Sequence, residues 1–163
     1  KMENPISNQI NAGCYIFNQD LINQIQKDQV VSVERDTFPK LLSSGAKVFG
    51  YVDNSYWLDI GTPAALVKAS ADLITGVINS SATPNHAGDN LISPSAKIGS
   101  GTLINNGSVI ETEVEVESNC QISGSIIGSG AKIGSNCKII DSIIAPGAQI
   151  DAGMVVISNY LGF

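Results

Sequence analysis

Few residues of this chain are placed to do chemistry, and Asp59 is the first of them. In Trp57-Leu-Asp-Ile-Gly-Thr-Pro63 it stands alone between Leu58 and Ile60, at the end of a strand-like run and directly before a helix N-terminus. A carboxylate there can help hold a divalent cation or a phosphate, or it can simply cap the structure; local chemistry leaves both readings open. A second acidic feature, Glu111, Glu113, Glu115 and Glu117, alternates with Thr112, Val114 and Val116. That period of two turns the valines inward and the carboxylates outward, which favours a solvated stripe over a metal site. Cys14, Cys120 and Cys137 are an odd count without zinc-type spacing. Cys120 and Cys137 could approach each other, but two small buried thiols are favoured over a disulfide. Gly99-Ser-Gly101 and Gly128-Ser-Gly130 resemble pieces of phosphate loops, yet neither leads from a strand into a helix, so both read as turns. His86 is the one histidine and falls in a polar loop. The general base that acyl transfer to a hydroxyl or amine requires is therefore missing from the repeat described below.

The elements that must position these residues are unevenly composed. Seven of the nine aromatics precede residue 60, while ten of the sixteen glycines follow residue 90, which predicts two differently built cores. In the first part, Ile10 to Phe17 reads as a strand, and a short helix around Asp20 to Gln26 has Asn18 as its cap. Ser32 caps a second helix that puts Phe38, Leu41 and Leu42 on one face and stops at Gly45. Lys47 to Val52 and Tyr56 to Ile60 alternate like the two arms of a hairpin around Asp53-Asn54-Ser55. Thr62 and Pro63 open a third helix, which Gly76 closes. Residues 1–78 are thus expected to be a mixed α/β segment, and 79–90 a polar linker.

From Ile92 onward the sequence repeats. Branched aliphatics recur every sixth residue at Ile98, Ile104, Ile110, Val116 and Ile122. After a five-residue step they continue at Ile127, Ile133 and Ile139, and after another at Ile144, Ile150 and Val156. Four residues beyond each of the first eleven comes a mostly small partner, including Ala96, Ser108, Cys120, Ala131 and Cys137. A period of six of this kind predicts a parallel β-helix over residues 91–163, each hexad forming one side of a three-sided coil. Three inward rows follow: Ile98, Val116, Ile133, Ile150; Ile104, Ile122, Ile139, Val156; and Ile92, Ile110, Ile127, Ile144. Rungs stack at about 4.8 Å, and stability comes from the stack.

The chain carries nine Lys+Arg against fifteen Asp+Glu, a net charge of −6, and a pI of about 4.5. No basic cluster could neutralise a phosphate backbone, so nucleic acid is excluded as a partner. No apolar run approaches the roughly 18 residues of a membrane span, and no signal peptide begins the sequence. A reducing, cytoplasmic compartment is expected. Lys1 preceding Met2 points to a processed chain or a fragment.

Ser7-Asn-Gln-Ile-Asn-Ala-Gly-Cys-Tyr-Ile-Phe17, Ser32-Val-Glu-Arg-Asp-Thr-Phe-Pro39 and Tyr56-Trp-Leu-Asp-Ile-Gly-Thr-Pro63, in that order and followed by hexapeptide repeats, resemble the back half of a sugar-phosphate nucleotidylyltransferase. Within that family the resemblance is to the mannose-1-phosphate guanylyltransferases. It implies a left-handed winding of the β-helix and a Gly-rich nucleotide-binding half outside this sequence. It also implies site residues. Lys1 matches the lysine placed on the phosphate of a sugar 1-phosphate. Asn11, Ala12 and Gly13 match the segment that meets the sugar, with Glu34 as a further substrate-binding residue. Asp59 matches a metal-binding aspartate, so Lys1 and Asp59 are the implied catalytic pair and Mg²⁺ the implied cofactor. The implied partners are a sugar 1-phosphate and a nucleoside triphosphate, in a homo-oligomer. Mannose 1-phosphate with GTP is the first reading. Glucose 1-phosphate with UTP, dTTP or ATP, or a non-catalytic regulatory β-helix subunit, remain alternatives.

Overall fold

The computed structural model describes residues 7–81 and 88–162, and the chain divides into two compact units, Lys1–Trp57 and Leu58–Phe163.

In the first unit, Asn18 caps a single helical turn, α1 (Gln19–Ile22), its side chain accepting from the Asp20 N–H. Ser32 caps the next element through the Arg35 N–H at 3.1 Å. That element opens as a π-helix, Val33–Thr37, and continues into α2 (Phe38–Ser43). Gly45 follows at φ +76°, the left-handed conformation that ends a helix. Leu41 is buried as expected, but Leu42, one position on in the same helix, is largely exposed and does not share the buried face. Neither Ile10 to Phe17 nor the expected hairpin arms join a strand ladder. The turn at Asp53 does form, its carboxylate accepting from the Ser55 N–H at 2.8 Å. An isolated two-stranded hairpin is marginal in water, and Phe49 and Tyr51 remain exposed with nothing packed over them.

Among the described residues, the second unit contains the predicted third helix, α3 (Pro63–Ile74), capped by Thr62 through the Ala65 N–H, and thirteen strands wound as a parallel β-helix of about four coils. Sheet A is made of β1 (Asn90–Ile92), β4 (Ser108–Ile110), β7 (Ile126–Ile127), β10 (Ile143–Ile144) and β13 (Tyr160–Leu161). Sheet B stacks β2 (Lys97–Ile98), β5 (Glu115–Val116), β8 (Lys132–Ile133) and β11 (Gln149–Ile150). Sheet C stacks β3 (Leu103–Asn105), β6 (Gln121–Ser123), β9 (Lys138–Ile140) and β12 (Val155–Ile157). The registers reproduce all three predicted rows, for example Ile104 with Ile122, Ile139 and Val156 in turn. Ile110, Ile122, Ile127, Ile133, Ile139 and Ile144 are at most 1% exposed. Ile92 and Ile98 are less well covered, since among the described residues the first coil has no rung beyond it to lean on. β13 was not anticipated: a third five-residue step from Val156 brings Leu161 onto the core.

The five-residue steps have one structural origin. Partners on the first two coils are 18 residues apart, as in Asn90 with Ser108, whereas later ones are 17 apart, as in Val109 with Ile126. The corner from sheet C to sheet A is Asn105-Asn106-Gly107-Ser108 on the first coil and only Ser123-Gly124-Ser125 on the second. The small buried position is accordingly filled by Ser108, Ser125 and Ser142, not by Ile126 and Ile143 as counting from the isoleucines implies. These serines form a ladder. The Ser108 hydroxyl accepts from the Ser125 N–H, that of Ser125 from the Ser142 N–H, and that of Ser142 from the Asn159 N–H, at 3.1–3.2 Å. Each hydroxyl also donates to a carbonyl of its own corner, so no serine hydroxyl in the ladder is buried without partners. The extra residue of the first corner, Gly107, is the point where the coil meets α3. A β-carbon on it would lie 2.5 Å from Ala71 Cα.

Candidate active site

The residues around Asn11 fold back on themselves. Gly13 takes φ +74°, and its N–H donates to Asn11 Oδ1 at 2.9 Å. A β-carbon at Gly13 would meet no atom within 4 Å, so glycine is needed there for its backbone angle and not for room. The tight turn aims the Asn11 amide at Glu34, which the Ser32-capped π segment carries in its first turn. Asn11 Nδ2 donates to Glu34 Oε1 at 2.9 Å and to the Tyr15 hydroxyl at 2.7 Å, and that hydroxyl donates to the same Glu34 oxygen at 2.9 Å. The three side chains thus close a triangle. Partial desolvation and the Glu34 carboxylate hold the Tyr15 phenol above its usual pKa, which keeps it protonated as the donor. Its ring packs edge-on against Phe38, centroids 5.1 Å apart, and tilted against Phe17 at 6.0 Å, while Phe17 and Phe38 stack on each other.

Three predicted site residues, Asn11, Gly13 and Glu34, are therefore brought together, with Ala12 exposed in the same turn. Sequence reasoning missed Tyr15. The available signal was its place four residues after Asn11 in an otherwise apolar run, where a hydroxyl needs a partner. Lys1 lies outside the described residues, as does His86.

Asp59 belongs to the second unit. It is exposed in the segment leading to α3, with its carboxylate oxygens 3.7 Å from where a Gly61 β-carbon would stand. Its negative charge thus sits in the approach to the positive end of that helix. Among the described residues no three His, Cys, Asp or Glu side chains cluster as a cation site. Magnesium commonly takes one or two carboxylates and completes its shell with waters and substrate phosphates. Asp59 offers one carboxylate of the kind such a shell uses.

The other chemical candidates resolve structurally. In the acidic stripe, Glu111 Oε2 accepts from the Ser129 N–H and hydroxyl at 2.9 and 2.7 Å, and Glu117 Oε2 from the Ser135 N–H at 2.9 Å. Glu115 pairs with Lys97 at 2.7 Å and more loosely with Lys132 at 4.0 Å. Two of the carboxylates therefore hold the next coil's turn, and a third joins an ion-pair row on the outer face of sheet B. Cys14, Cys120 and Cys137 are all free. The buried thiols of Cys120 and Cys137 donate to the carbonyls of Gly134 and Asp151 at 3.2 and 3.1 Å. Gly101 and Gly130 occupy left-handed corner positions at φ +74° and +70°. A groove of about 800 Å³ between α3 and the corner residues Asn106, Gly124, Asp141 and Ser158 contains none of the predicted site residues.

Residues 1–76 match the family model described as Nucleotidyl transferase, and residues 86–161 match the GMPPB C-terminal domain. The first of these segments is thus similar to the nucleotidyl transferase family. Among curated relatives, mannose-1-phosphate guanylyltransferase of Mycobacterium tuberculosis is 44% identical over 71% of this chain and 33% of its own length. A putative mannose-1-phosphate guanyltransferase of Sulfolobus acidocaldarius is 34% identical over 70% of this chain and 32% of its own length. Probable mannose-1-phosphate guanylyltransferase 3 of Oryza sativa subsp. japonica is 33% identical, with coverages of 72% and 34%. The chain thus spans about a third of the length of these relatives of the family. Among the described residues, no helix is long and apolar enough to cross a membrane.

Proposed function

We propose that this chain is the sugar-binding and β-helical part of an enzyme that makes GDP-mannose and pyrophosphate from GTP and mannose 1-phosphate. The observation that carries this reading is the convergence of Asn11, Gly13 and Glu34, from two separate motifs, into one hydrogen-bonded cluster within the segment that matches the nucleotidyl transferase model. The shared name of the relatives supports the choice of mannose and guanine. The two family matches, which break between residues 76 and 86, support a division into a nucleotidyltransferase segment at 1–78, a linker at 79–90 and a left-handed β-helix at 91–163.

In this reaction a phosphate oxygen of mannose 1-phosphate attacks the α-phosphorus of GTP, and pyrophosphate leaves in line. The cluster at Asn11 and Glu34 holds the sugar and thereby sets the direction of its phosphate, so its contribution is positioning. Lys1 orients that phosphate by charge. Asp59 is the residue of this chain that would hold Mg²⁺, which supplies neutralisation of the charge on the reacting phosphates when bound. Flat coil faces suit a homo-oligomer, and free buried thiols suit a reducing cytoplasmic compartment.

The test is pyrophosphate release by the complete protein with Mg²⁺ across pairs of sugar 1-phosphates and nucleoside triphosphates. Preference for mannose 1-phosphate with GTP is expected; preference for glucose 1-phosphate overturns the sugar assignment, and no turnover with any pair overturns the enzyme reading. Asp59→Asn, nearly isosteric, should lower kcat by about 10². A loss under threefold removes the metal role.

A further inference from the structure

The hydrogen-bond inventory of the cluster limits what Asn11 can offer a ligand. An Asn side chain has two N–H donors, and here both are spent inside the protein, one on Tyr15 and one on Glu34. Its oxygen already accepts from the Gly13 N–H. Glu34 Oε1 accepts from both Asn11 and Tyr15, while Oε2 has no partner among the described residues. We infer that Tyr15 is a positioning and specificity-determining residue: its hydroxyl consumes the Asn11 donor and locks the Glu34 carboxylate, leaving a rigid, acceptor-only grip for hydroxyl donors of the sugar. The ring can do this because it packs into a three-ring cluster with Phe17 and Phe38, which sets the position of the hydroxyl. The π-helical start of the Glu34 segment strengthens the argument, since such irregular turns store a local cost that a functional placement explains. The ligand class is a sugar 1-phosphate presenting adjacent ring hydroxyls as donors. Asn11 then acts on the sugar mainly through Glu34.

This inference rests on the proposed nucleotidyl transfer. The test uses the complete protein, with KM and kcat measured for mannose 1-phosphate and GTP in wild type, Tyr15→Phe, Glu34→Gln and the double variant. Tyr15→Phe keeps the ring and its packing. It should raise KM for mannose 1-phosphate about tenfold, the scale of one hydrogen bond to a charged group, and leave KM for GTP within twofold. In the Glu34→Gln background the same change should add less than twofold, because Tyr15 acts through that carboxylate. An unchanged sugar KM, or a full tenfold effect persisting beside Glu34→Gln, overturns the role of Tyr15 while leaving nucleotidyl transfer intact. Absence of turnover by the wild type overturns both readings.

Discussion

Gly107 and Gly130 are both corner glycines with left-handed φ, at +74° and +70°, but their surroundings differ completely. A β-carbon on Gly130 would meet nothing within 4 Å; on Gly107 it would lie 2.5 Å from Ala71 Cα, 2.8 Å from Ala71 Cβ and 2.9 Å from the Ala71 carbonyl oxygen. Replacing either by alanine incurs the left-handed cost of an L-residue, about 1–2 kcal/mol. Gly107→Ala must in addition push α3 off the first coil, and overpacking of that kind costs about 1–3 kcal/mol. At about 4 °C per kcal/mol, Gly107→Ala should melt about 4–12 °C below Gly130→Ala. The closest atom is backbone, so adding Ala71→Gly should not restore stability to the Gly130→Ala level. Circular dichroism melts of the three variants and wild type measure the difference, and hydrogen exchange at the α3 amides from Leu66 onward localises it. If Gly107→Ala melts no lower than Gly130→Ala, or if α3 protection is equal in both, the contact between the long corner and the helix is not what that glycine serves.

Ile122→Asp would bury an unpaired carboxylate at a fully covered position stacked on the equally covered Ile139, at a cost of about 3–5 kcal/mol; an unchanged melting temperature would refute the register. Alkylation of the native protein should modify exposed Cys14 first and spare Cys120 and Cys137, because both are buried and desolvation pushes the Cys137 thiol up. Mass spectrometry showing a two-hydrogen deficit at that pair would contradict the free thiols. Lys97 holds the Glu115 carboxyl below its ordinary pKa, with Lys132 contributing, so the pair's stabilisation is present above the unfolded carboxylate value and is lost as pH falls through the lower folded one. Lys97→Ala should move the Glu115 titration midpoint up, as read by NMR at low salt, with the shift shrinking as salt is added. A midpoint that stays put would mean the ion pair does not form in solution.

The β-helix was legible because its periodicity is imposed at every rung: the same inward position must be filled by a branched aliphatic wherever strands stack, so the rows from Ile92 to Val156 could be written down residue by residue. What the count missed is equally physical. A corner can lose one residue without disturbing either flanking strand, so the isoleucine rows stay in phase while the small position slips by one, from the expected Ile126 and Ile143 to Ser125 and Ser142. The first unit was read less well because strands are pairwise objects. Ile10 to Phe17 and Lys47 to Val52 have strand-like patterns, but a pattern becomes a strand only against a neighbour. The caps at Asn18, Ser32 and Thr62 depend on a side chain and an amide two or three residues away, and these formed as read.

The same distinction between local and distant determinants separates the site residues. Motifs located Asn11, Gly13 and Glu34 individually, but nothing in their spacing states that a residue 23 positions away shares an oxygen with Asn11. Nor does it state that the donors of Asn11 are already occupied. That occupancy bears on the chemistry of the residue: an asparagine free in solution has two N–H groups to donate, whereas both of these are held by Tyr15 and Glu34. The acidic stripe makes the converse point. Four glutamates at a period of two are a solvated face by pattern, yet Glu111 and Glu117 each reach one coil onward to accept from a turn amide, so their carboxylates hold consecutive coils in register. In both places the sequence names the side chain, and its partner decides what the side chain does.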